Sequence, residues 1–286
     1  MSSIKYFILG LITFFNLATY GQELKFDKKF YDALDKWVVI EGIGNPPKHI
    51  LGFIYLDPSA GISFRHESNL FVLNDKLVKD SVNKEAMITA RLSAGLADIA
   101  VLSDLQIQTL GLPKEPNWLS VYKVNEGTSA YQVSKGLWLN SVNASHLALP
   151  ILKAVYEKDP KAKGLEFELA YAYNHVGSFY KAIIILNKAI EEEPDNFWYY
   201  RELGFALKHL NNLKEADKAY KLGIKHSNDK MQNAEMSINM LQSYFQVKDR
   251  PKFDEWKVIF LRHVEEGSQF LEYLKFFEDN WEMERK

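Results

Sequence analysis

Two acid–proline marks, Asp159-Pro160 and Glu193-Pro194, stand 34 residues apart, and the residues around them return at the same interval. Moving the window 163–196 forward by 34 sets Leu169 on Leu203, Ala170 on Gly204, Ala182 on Ala216, Leu186 on Tyr220 and Ala189 on Gly223. Moving it back sets Ala170 on Gly136, Ala182 on Ala148, Leu186 on Leu152 and Ala189 on Val155. An interval of this length is that of one helical hairpin, which cannot bury its apolar face alone and must stack on its neighbours. Small residues then recur where two helices touch closely, and large apolar ones where a hairpin fills the space to the next. A proline after the second helix ends it, because proline cannot continue the backbone ladder.

The pattern resembles the tetratricopeptide repeat family. The letters that carry the resemblance are Leu169-Ala170, Tyr173, Gly177, Phe179, Ala182, Leu186, Ala189 and Pro194, then Tyr200, Leu203-Gly204, Leu207, Ala216 and Tyr220. Gly223 and Asn228 depart from the usual Ala and Pro. Units are expected at about 129–162, 163–196 and 197–230, with a degenerate one at 231–266 that keeps only helical periodicity. Pro150 is expected to end or kink the second helix of the first unit. The resemblance implies a superhelix with an inner groove. By the family's register the groove-facing side chains are Phe167, Tyr171, Asn174 and His175, then Arg201, Phe205, Lys208 and His209, then Glu235, Asn239 and Gln242. The family's carboxylate-clamp pattern is only partly present: Asn239 stands at its place, while Tyr171 and Phe205 replace Asn elsewhere. Aromatic anchors beside Arg, Lys, Asn and Gln suit a bound peptide that needs both apolar burial and hydrogen bonds. Alternatively, a capping helix buries Tyr171 and Phe205. His175 and His209 are equivalent residues, read as groove hydrogen-bonders or as a metal- or pH-sensing pair.

Segment 267–286 reads as a capping helix, with Phe270, Leu271, Leu274, Phe277 and Trp281 at helical spacing and Tyr273 and Phe276 on a flank. It serves as a buried cap, folds back into the groove, or pairs with a second chain to make a homo-oligomer. At the other end, Lys5 precedes the apolar run Tyr6–Leu17, and Thr19 and Gly21 supply small residues before Gln22. This is the form of a signal peptide, residues 1–21, with retention as an anchor the alternative. It resembles export signals of the Bacteroidetes, which implies a periplasmic or extracellular protein.

Residues 22–128 read as a small α+β domain and linker. An amphipathic helix is expected over Phe26–Trp37, and strands over 38–40, 49–56, 62–65, 70–73, 87–92 and 99–102, with turn chemistry between them. A short helix is expected at 104–110, and 111–128 as the link to the first hairpin.

Several catalytic and metal-binding motifs are absent from the sequence. There is no cysteine, which excludes disulfides, thiolate metal sites and thiol nucleophiles. There is no phosphate-binding glycine loop, GxSxG elbow or HExxH. A formal charge of −2 gives no basic face for nucleic acid. The chain therefore reads as a non-catalytic scaffold or adaptor of the cell envelope, without cofactor or metal. It would bind a protein or peptide segment in the groove and have no membrane span once the signal is removed. The alternative is an envelope enzyme or ligand receptor whose site lies in residues 22–128, with His49, Asp57, Arg65, His66 and Glu67 as candidates.

Overall fold

The computed structural model describes residues 23–80 and 88–282, in two compact units. The signal segment, and Met87 of the expected 87–92 strand, lie outside the described residues.

The first unit is built on a sheet. Its strands are β1 (Lys36–Ile40), β2 (His49–Asp57), β3 (Gly61–Leu73), β4 (Lys76–Lys79), β5 (Thr89–Arg91) and β6 (Ala100–Val101), in the order β4-β3-β2-β1-β6 with β5 beside β3. The β1–β2, β1–β6 and β3–β4 pairings are antiparallel. Residues 51–56 are buried without alternation, which explains why the β2 sequence is a continuous apolar run. The helix α1 (Asp104–Thr109) starts at a capping box between Ser103 and Gln106.

Three expectations are corrected here. Phe26–Trp37 is not an amphipathic helix: a single 3₁₀ turn, Phe30–Ala33, buries its two apolar residues. Asp35, at φ 60°, then takes the left-handed conformation that no helix continues through, and delivers the chain into β1. The segments 62–65 and 70–73 are one strand, β3. His66–Asn69 is not a turn, because its backbone has partners on either side: His66 N–H donates to Ile88 O, and Asn69 O accepts from Asp80 N–H. The tight turn comes later, at Asn74-Asp75, both with positive φ as a two-residue hairpin requires. Finally, 111–128 is not a bare link: it contains a 3₁₀ turn, Asn117–Leu119, and α2 (Ser120–Lys123).

The second unit contains residues 56–62, 91–95 and 120–282. Its helices pair as hairpins: α3 (Ser129–Ser141) with α4 (Ser145–Lys158), α5 (Leu165–His175) with α6 (Phe179–Glu192), α7 (Phe197–His209) with α8 (Leu213–His226), and α9 (Lys230–Val247) with α10 (Arg250–His263). Thr128, Asn196, Asp229 and Asp249 cap four of them by accepting from first-turn amides. The small residues sit where two helices touch. A methyl at Gly136 would come 2.5 Å from the Leu152 side chain, and one at Gly204 2.5 Å from the Tyr220 ring. Ala182 and Ala216 are fully buried. Pro150 does not end α4, which runs on over Ser145–Lys158. It lies in the second turn and forgoes one backbone bond.

Successive first helices α3, α5, α7 and α9 pack on one another, whereas no comparable packing joins α4 to α6 or α6 to α8 among the described residues. The stack therefore curves with the first helices inside. The helix α11 (Phe270–Asp279) packs on α9, burying Leu274 and Phe277 in a cluster with Trp256, Phe253 and Phe260. Asp217 on α8 fastens this end. It accepts from Tyr244 Oη (3.1 Å) and Trp256 Nε1 (3.0 Å), and pairs with Lys221 (2.7 Å). No described helix is long and apolar enough to cross a membrane.

Candidate functional site

The inner face is a row of side chains from α5, α7 and α9, spaced so that residues one turn apart on one helix meet those of the next. On α5, Tyr171 stacks on His175 (centroids 4.2 Å apart) and Phe167 meets Trp198 of α7 edge-on at 5.8 Å. On α7, Phe205 lies 4.4 Å from His209, which also stacks on Phe179 at 4.9 Å. Between α7 and α9, Arg201 Nη2 donates to Glu235 (2.8 Å), and Lys208 Nζ donates to Asn239 (2.7 Å) and, more loosely, Gln242 (3.4 Å). The structure thus brings ten of the eleven expected groove residues onto one surface.

Asn174 is the exception. It is 3% exposed and faces the next hairpin, where its Nδ2 donates to Glu202 O (3.1 Å) and Glu202 Oε2 (2.9 Å). Its place in the register is correct, but the approach of α7 closes over it. The same arrangement occurs one repeat earlier. Asn140 Nδ2 donates to Glu168 O (3.0 Å) and Glu168 Oε2 (2.8 Å), again across 28 residues. Both Asn and both Glu recur at the 34-residue interval, so a signal was present in the sequence, although nothing there distinguishes a buried clamp from an exposed amide. At the next joint the equivalent positions are Lys208 and Met236, and the clamp gives way to the Arg201 and Lys208 bridges.

Electrostatics differ along this row. Burial, only partly offset by the Asn140 amide, raises the Glu168 carboxyl to about 7. Burial also raises Glu202, but Arg201 beside it opposes the shift. Arg201 itself is held above its ordinary value: burial works against its charge, and Glu202 and Glu235 outweigh it. Burial lowers Lys208, His175 and His209, with Arg201 adding to the effect at His175 and Lys208 at His209. His175 stacks on Tyr171 of its own helix, and His209 on Phe179 of α6. Among the described residues no group of three or more His, Asp or Glu is placed to hold a metal ion.

A cavity of about 250 Å³ opens in this face, lined by Tyr171, His175, Arg201, Glu202, Phe205, Tyr220, Glu235 and Asn239. A wider one of about 610 Å³ lies between α9 and α11, where Tyr273 and Phe276 are half-exposed. No α11 residue lines the smaller cavity, so α11 does not cover Tyr171 and Phe205 there.

Three of the candidates on and beside the strands have local partners. Asp57 Oδ1 accepts from Ser59 N and Ala60 N, and His49 Nδ1 accepts from Gly42 N. Arg65 lies over the Trp118 ring at 4.3 Å. His66 and Glu67 are adjacent on β3 and so point to opposite faces.

No family model matches the chain, and no curated protein matches it. Solved structures do. MamA MSR-1 is 20% identical, with 51% of this chain and 84% of that chain covered and a TM-score of 0.41. MamA 41-end from Desulfovibrio magneticus RS-1 is 12% identical, with 51% and 81% covered and a TM-score of 0.44. The MamA RS-1 ArsTM double mutant is 11% identical, with 56% and 83% covered and a TM-score of 0.43.

Proposed function

We propose that the helical unit is a tetratricopeptide-type interaction module whose inner face holds a segment of a partner protein, and that the chain is a scaffold or adaptor rather than an enzyme. The observation that carries this reading is the composition of that face. Ring pairs on α5 and α7, the first stacked and the second tilted, lie beside Arg201, Glu235, Lys208 and Asn239, which offer apolar anchoring and hydrogen bonding along one surface. No comparable convergence of polar groups occurs among the described candidates of the sheet unit.

Peptides selected from a random display library on the purified full chain test the reading. Phe205→Ala and Tyr171→Ala should each weaken the selected peptides by about tenfold, as loss of an aromatic anchor does. Unchanged affinity in both variants would remove the inner face as the binding surface. Export to the periplasm or beyond is proposed on residues 1–21. Amino-terminal sequencing of the protein recovered from the periplasmic or extracellular fraction checks it: a start at Gln22 supports export with cleavage, a start at Met1 supports retention as an anchor, and absence from those fractions refutes export.

A further inference from the structure

The smaller cavity has a floor that groove binding in general leaves unexplained. Tyr220 reaches it from α8 and is 1% exposed, yet its hydroxyl makes no hydrogen bond within the protein. The Nε of Arg201, lining the same cavity, is likewise buried and without a partner. The repeats provide an internal control. The residues equivalent to Tyr220 are Leu152 and Leu186, both fully buried, so packing against the small residue of the facing helix requires no hydroxyl. An unpaired buried hydroxyl is costly and is expected to have a use. Burial pushes its pKa well up, so it stays protonated and can donate.

The charges around it narrow the ligand. Arg201 Nη1 donates to Glu202 and Nη2 to Glu235 Oε1, so one cation already serves two carboxylates. Lys208 is committed to Asn239 and Gln242. The two cations, Arg201 and Lys208, balance the two carboxylates, Glu202 and Glu235, so a ligand group here should be uncharged and should both accept and donate hydrogen bonds. A carboxamide fits both demands. Its carbonyl oxygen can accept from Tyr220 Oη and Arg201 Nε, and its NH₂ can donate to the Glu235 carboxylate. The walls, Tyr171 stacked on His175 and the Phe205 ring, are flat, and a volume of about 250 Å³ admits one side chain.

We propose that this cavity is a subsite for the uncharged carboxamide side chain, Gln or Asn, of the bound segment. The proposal rests on the interaction-module reading and adds a residue preference to it. The test uses the same display selection, on wild type and on Tyr220→Phe, followed by affinities and thermal melts. Selected peptides should share a Gln or Asn, and changing it to Glu or Ala should weaken them more than tenfold. Tyr220→Phe should leave the melting temperature unchanged or higher and weaken the same peptides about three- to tenfold, the loss of one hydrogen bond. A fall in melting temperature with unchanged affinity would make the hydroxyl structural and overturn the proposal. Peptides that bind the inner face without a Gln or Asn preference, or that prefer Glu, would overturn it while leaving the module reading intact. A library that yields no binder would take down both.

Discussion

The joint between the first and second hairpins and the joint between the second and third use the same two side chains and do not have the same electrostatics. At each, a buried Asn on one first helix donates to the backbone and the carboxyl of a buried Glu on the next, with distances that differ by about 0.1 Å. At the first joint only the Asn140 amide opposes the burial of Glu168, and its carboxyl is raised to about 7. At the second, Arg201 stands beside Glu202 and also reaches Glu235 on α9. The geometry of a clamp can therefore be copied from repeat to repeat while its ionisation is set by one neighbour. The first joint is strongest where Glu168 is protonated; at the second, Arg201 opposes the rise that burial causes in Glu202.

Three experiments would break or sharpen this contrast. The largest effect is expected from Arg201→Met, which leaves Glu202 as an uncompensated buried carboxyl. Stability measured by denaturant unfolding at pH 8 should fall by about 3–5 kcal/mol. The loss should shrink toward pH 4, because Glu202 can then be neutral; a loss independent of pH would refute the role given to Arg201. Next is Glu168→Gln. A folded-state value of about 7, against an ordinary 4.5, means that the folded form binds this proton more tightly than the unfolded form. Its contribution is fully present below pH 4.5 and is lost as pH rises through 7, a difference of about 3 kcal/mol. Glu168→Gln should flatten that slope and be the more stable protein at pH 8. A slope identical to wild type would show that Glu168 titrates normally. The smallest effect belongs to Asn140→Ala compared with Asn174→Ala. Each should cost about 1–3 kcal/mol for a buried acceptor left short. Asn140→Ala should be milder at pH 5 than at pH 8, because a neutral Glu168 needs the amide less than its carboxylate does. Equal losses at pH 5 and pH 8 in both variants would erase the contrast.

Much of the helical unit could be read from the sequence. The interval and the small residues at 136, 204 and 216 follow from the repeat, and all of the eleven expected residues except Asn174 keep at least partly exposed side chains on α5, α7 and α9. The sheet unit was less legible. Phe30 and Ala33 have helical spacing, but the left-handed Asp35 that redirects the chain leaves no mark distinguishable from an ordinary Asp. Likewise, His66–Asn69 has turn composition but is held extended by strands that lie elsewhere in the chain.

The sequence by itself determined that hairpins of a fixed length must stack, and which residues are small enough to let them. That is a matter of volume and spacing, and both are properties of the letters. Only the tertiary structure decided that Asn174 is a clamp and not a groove residue, that burial raises Glu168 and Glu202 beside different neighbours, and that the buried Tyr220 hydroxyl stands unpaired in a residue lining a cavity. Those properties depend on burial and on partners roughly one repeat away, and the free energy of a polar group is set by what surrounds it.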